Sequence, residues 1–227
     1  MQKNFARHLG ALALGTALAV AAQTGIAMAE TAAKHDHAHD HAHDHSHDTE
    51  NNPAKGYFED AQVQPRDLSD WEGDWQSVYP YLADGTLDPV MEHKAEHGDK
   101  TAEEYRAYYE TGYKTDVDRI TIEGNRFDFY RGEEKASGEY ESGGYEILNY
   151  AKGNRGVRFI FEKVSGDEAA PKIVQFSDHI IAPQKSGHFH LYWGDDRAAV
   201  LEELTNWPTY YPSNLDADGI LHEMLAH

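Results

Sequence analysis

Between residues 117 and 195 the chain breaks into short β-prone runs separated by turn residues, and this rhythm limits the fold more than any other feature. The runs are 117–122, 126–130, 138–141, 145–150, 156–161, 172–176 and 188–193. Glu123-Gly124-Asn125, Ser142-Gly143-Gly144 and Lys152-Gly153-Asn154-Arg155 punctuate them. Short strands at even spacing with turn signals between them form an antiparallel meander, which must close into a barrel or stack as a sandwich. Residues 57–115 read instead as helix and loop. The best helix is 101–113, with Ala102-Glu103-Glu104 in its first turn and Tyr105, Tyr108 and Tyr109 spaced to share a face. The tail, 198–227, reads as mostly helical, interrupted at Trp207-Pro208-Thr209-Tyr210-Tyr211-Pro212.

Gly73-Asp74-Trp75, just before the meander, is a Gly-x-Trp of the kind found where up-and-down barrels begin. With the meander it favours a mainly β fold, a calycin- or lipocalin-like antiparallel barrel with added α-helices. Three segments result. Residues 1–29 have the build of a secretory signal peptide: Lys3 and Arg7, an apolar run from Leu9 to Val20, and Ala27-Met28-Ala29 as the cleavage site. That run is too short and too rich in Ala and Gly for a membrane anchor, and no later stretch is apolar enough to insert. Residues 30–56 are low-complexity and read as a disordered arm. Residues 57–227 form the barrel domain. The net charge of −20 opposes nucleic acid or an anionic membrane as partner and favours cations. The chain has no cysteine, so any zinc must be held by imidazole and oxygen.

Seven of the 15 histidines occupy every odd position of the arm: His35, His37, His39, His41, His43, His45 and His47. In an extended chain they would line one edge. Neutral imidazole suits zinc, copper and nickel, and the interleaved Asp residues add oxygen ligands. Such a tract collects metal in many interchangeable ways. It imposes no single geometry, because ordering it costs backbone entropy at each residue.

The sharper signal is His179 followed by His188-Phe189-His190, read as a hairpin whose loop spans 182–187. His188 and His190 are two apart and share a strand face, and His179 joins them if it pairs with either. Three imidazoles leave a fourth zinc position for water, an anion, a carboxylate or an imidazole from the arm. His222 and His227 are auxiliary candidates, although histidines near a helix end are also favoured by its dipole. Two other readings compete. His93-Lys94-Ala95-Glu96-His97 matches H-x-x-E-H, the inverted zincin pattern of some metallohydrolases, but Asp88-Pro89 and Gly98-Asp99 leave it a short helix. A calycin barrel can also carry a small apolar ligand, with Tyr130, Tyr140, Tyr145 and Tyr150 as lining. The chain has no Gly-x-Ser-x-Gly, phosphate loop or cysteine nucleophile, and the expectation is a binding protein, not an enzyme.

The chain resembles the ZinT family of periplasmic zinc-binding proteins over about 57–227. The likeness is most specific at Leu68-Ser69-Asp70-Trp71 with 75–80, at 175–183 with His188-Phe189-His190, and at 206–212. The resemblance implies a calycin-like barrel with added helices and a zinc site at His179, His188 and His190. It implies that cadmium and other divalent ions bind as well, copper, nickel and cobalt being further candidates. It also implies a periplasmic role in zinc buffering, or in delivery to a zinc ABC importer through that importer's solute-binding protein. Some family members carry a cysteine pair in the barrel, and this chain departs from them there.

Overall fold

The structure, a computed structural model, describes residues 52–151, 153–202 and 204–226. Eight antiparallel strands close a barrel in sequence order: β1 (Gly73–Ser77), β2 (Arg119–Glu123), β3 (Arg126–Arg131), β4 (Glu134–Asn149), β5 (Arg155–Gly166), β6 (Ile173–Ser177), β7 (Phe189–Gly194) and β8 (Thr209–Pro212). Closure is made by β8, which pairs with β7 on one side and β1 on the other. The helices are α1 (Tyr79–Ala83), α2 (Asp88–His97), α3 (Ala102–Tyr113), α4 (Arg197–Leu201) and α5 (Ala217–Leu225). Thr101 and Glu104 form a capping box that starts α3 where its acidic first turn indicated. Among the described residues no helix is long and apolar enough to cross a membrane.

Three elements differ from the sequence expectation. Ser142-Gly143-Gly144 is not a turn. It lies inside β4, where the register with β5 shifts between Ser142 and Tyr145 and Gly144 takes a φ of 85°. A bulge uses the same residue types as a turn, since it needs the left-handed conformation that glycine tolerates. The strand at β1 lies within the stretch read as helix and loop. The aromatic-proline interruption of the tail is β8; its Pro212 sits at the strand end, where a missing N–H costs little. In addition, residues 52–56, which composition placed in the arm, are structured: Pro53–Lys55 form a 3-10 turn and Asn52 bridges to Tyr57. The segment expected to be a signal peptide, residues 1–29, and the histidine tract lie outside the described residues.

Alternation along each strand splits the apolar residues between two cores. Trp71, Phe127, Phe129, Phe159, Phe176 and Phe189 fill the barrel lumen, with Trp71 stacked on Phe176 at 4.5 Å. Tyr140 is buried among them, its hydroxyl donating to the Pro171 carbonyl at 2.6 Å. A lumen packed with rings has no room for an apolar ligand, and the carrier reading loses its physical basis. The second core lies outside the barrel, where Leu82, Val90, Met91, Tyr113, Ile220 and Met224 of the helices meet Tyr211 of β8. Tyr210 thus points into the lumen and its neighbours Thr209 and Tyr211 point out, toward the helical layer.

Candidate metal centre

The three histidines converge on that outer wall. Their ligand atoms all lie within 4.8 Å of one another, and their ring centroids are 5.6 Å (His179–His190), 6.1 Å (His188–His190) and 6.4 Å (His179–His188) apart. A tetrahedral zinc ion with Zn–N bonds of about 2.0–2.1 Å sets its nitrogens roughly 3.4 Å apart, so small ring rotations bring this trio to bonding geometry. His179 is exposed and the other two are half-buried.

Each ring is positioned differently. Only His190 belongs to a strand. It pairs with Ser177 of β6 and Thr209 of β8. Its Nδ1 lies 2.7 Å from the Thr209 hydroxyl oxygen, and that hydroxyl donates its one proton to the Trp207 carbonyl at 3.0 Å. The hydroxyl must therefore accept from Nδ1–H, which leaves Nε2 as the lone-pair nitrogen for a metal. Burial, together with His179, His188 and Arg158 nearby, holds the His190 imidazole well below its ordinary pKa, so it is neutral and ready to ligate at neutral pH. His188 precedes β7 and stacks on Tyr211, ring centroids 5.0 Å apart and planes 10° from parallel.

His179 follows the end of β6. Continuing the ladder from Ser177↔His190 would set it opposite His188, one of the two registers allowed by the sequence. The strands stop short of that pair, and the connection runs over 178–188 instead of the shorter 182–187 loop expected. His179 is the one described non-glycine residue with positive φ, at 63°. Asp178 supports this conformation by accepting from the Ile180 N–H at 3.2 Å, an Asx-type turn around the histidine. The Asp178 side chain points toward Arg66 and Trp71. It is fully buried and accepts from Arg66 Nη1 at 2.7 Å and Trp71 Nε1 at 3.1 Å. Arg66 also donates to the carbonyls of Ile180 (3.2 Å) and Gln184 (2.7 Å), and lies 4.0 Å above the Trp71 ring. The histidine-bearing connection is thus fastened to the segment that leads into β1.

A cavity of about 750 Å³ opens over the trio. Its walls include Tyr109 and Tyr113 of α3, Lys94 of α2, and Glu223 and Met224 of α5, and Asn52, Ala54 and Lys55 edge it. Sequence reasoning missed Thr209, Tyr211 and Glu223. Nothing local marks them, because they reach the site only when β8 closes the barrel and α5 folds over it. Of the C-terminal candidates, His222 is exposed on α5 and stands apart from the trio, while the next residue, Glu223, faces the cavity. His227 and the seven arm histidines lie outside the described residues. His93, Glu96 and His97 cluster on exposed α2, a helix of ten residues. All three side chains lie exposed on a short helix, a poor context for the inverted zincin pattern.

Residues 49–227 match the family described as ZinT (YodA) periplasmic lipocalin-like zinc-recruitment. The chain is 59% identical over 174 residues to the probable metal-binding protein YrpE of Bacillus subtilis, covering 76% of this chain and 69% of that one. It is 52% identical over 174 residues to the zinc-binding lipoprotein AdcA of Streptococcus pneumoniae, of which it spans only 35%. The crystal structure of the Zn(II)-bound ZinT-like domain of that AdcA superposes with a TM-score of 0.74 at 51% identity, covering 76% of this chain and 97% of the domain. These are zinc- and metal-binding proteins, not enzymes. A closed eight-stranded barrel, a family match over most of the chain and relatives above half identity agree: the chain belongs to the ZinT family.

Proposed function

We propose that this protein is a periplasmic zinc carrier whose cargo ion is held by the imidazoles of His179, His188 and His190. The observation that carries this reading is the convergence of three imidazole ligand atoms within 4.8 Å of one another. The Zn(II)-bound state of the AdcA domain supports zinc as the cargo. The donor set also accepts cadmium, cobalt, nickel and copper, since imidazole sites follow the usual divalent series.

The arm acts as the collecting device. His47 precedes Asn52 by five residues, and Asn52 lines the cavity over the trio. An ion caught loosely by the arm then moves to the trio, where less entropy remains to be lost on binding. From there it passes to the solute-binding protein of a zinc ABC importer. Support for this hand-over comes from AdcA, a longer zinc-binding lipoprotein in which a ZinT-like domain is one part.

The test is a zinc competition titration of three forms: the native protein, a variant with His179, His188 and His190 all changed to Ala, and one lacking residues 30–50. The tight site should vanish in the first variant and survive in the second, which should bind fewer ions in total. Tight binding that persists without the three barrel histidines refutes the assignment.

A further inference from the structure

We infer that the outer surface of α2 carries a second divalent-metal site, built by His93, Glu96 and His97. The three stand at positions i, i+3 and i+4, which share one face of a helix. Their ligand atoms lie within 4.8 Å of one another, and the two imidazole rings meet edge to face at 4.8 Å. All three side chains are exposed, and no ion pair among the described residues engages Glu96.

The surroundings favour a cation. The cluster occupies the last turns of α2, which ends at Gly98 in an extended conformation. The unpaired carbonyls there give the helix its negative end. The two lysines nearby are turned to other partners. Lys94 leans over the Tyr109 ring, its ammonium 5.5 Å from the centroid, and it lines the cavity on the other side of the helix. Lys100 is held by Asp99 at 2.9 Å. Neither charge is committed to the cluster face.

Two imidazoles and a carboxylate suit zinc, nickel and copper(II), with water completing the shell. The helix is already formed, so binding orders side chains only, unlike capture by an extended tract. Exposure to water keeps this site weaker than the trio and quick to exchange. It therefore serves as an outer holding place on the far face of the helix that walls the main cavity. It fills only when zinc exceeds what the trio takes up. This site does not depend on the assignment of the trio.

The probe is zinc chloride added to the full chain labelled with nitrogen-15, followed by NMR. Once the tight site is filled, further zinc should shift the backbone amides of 92–98 and the ring signals of His93 and His97 along one saturating curve. In the variant carrying His93→Gln and His97→Gln those shifts should disappear, and equilibrium dialysis should show one fewer zinc per chain. Glu96→Gln should keep the response but move it to higher zinc. The α2 response should persist when the three barrel histidines are replaced, which separates its failure from failure of the main site. If the α2 signals stay fixed as zinc rises, or move equally in the double variant, the second site does not exist.

Discussion

One hydroxyl decides which ring nitrogen His190 presents to the proposed metal site. Thr209 accepts from Nδ1–H because its own proton is spent on the Trp207 carbonyl, and this fixes the tautomer that presents Nε2. Outer partners of ligating histidines are worth about 10–100-fold in metal affinity. Thr209→Val, nearly the same shape without the acceptor, should therefore weaken zinc binding by at least about tenfold. Thr209→Ser should keep most of it. Equal affinities in a competition titration of the two variants would show that the hydroxyl does not set the tautomer. The depressed basicity of His190 acts in the same direction: its lone pair is not claimed by a proton at neutral pH. These effects were invisible in the sequence, because Thr209 is remote along the chain and becomes a neighbour only through the β7–β8 pairing. The trio itself was legible, since a His-x-His and a third histidine across a turn can meet in few ways. Its backbone was not: the left-handed φ of His179 depends on the Asx turn of Asp178 and on a loop that leaves the ladder early.

At the scale of elements, the decisive piece is the connection over 178–188. It hangs from Arg66, which grips Asp178, Ile180 and Gln184 at once. Both side chains of the Arg66–Asp178 pair are fully buried, and loss of Asp178 leaves Asp70, at 2.7 Å from Arg66 Nε, as the carboxylate that still pairs with Arg66. Asp178→Ala should cost about 2 kcal/mol of stability, read as a lower denaturant midpoint, because it leaves Trp71 Nε1–H and one Arg66 N–H without this acceptor. It should also weaken zinc binding, because His179 loses the turn that aims it. A variant as stable as the native protein would show that the pair does not anchor the loop. The interior strands were readable from their alternation and turns. The two closing strands were not, for reasons of context: β1 is short and lies between a 3-10 turn and α1, and β8 follows Pro208 and ends on Pro212, residues that ordinarily break a strand. Both became strands because each could pair with a neighbour already in the sheet.

At the scale of the whole molecule, the barrel serves as a wall. Its lumen is filled by aromatic rings, and its outer face at β7 and β8 holds two of the imidazoles with their supports, Thr209 and Tyr211. The helices roof that face and leave a cavity edged by the residues that follow the histidine arm. The chain's net charge of −20 favours cations over anions as ligands. The most direct test is anomalous diffraction at the zinc edge from crystals of the protein loaded with one equivalent of zinc. A single strong peak is expected at about 2.0–2.1 Å from one nitrogen each of His179, His188 and His190. A peak elsewhere, or one of the three rings turned away from the ion, would contradict the central claim.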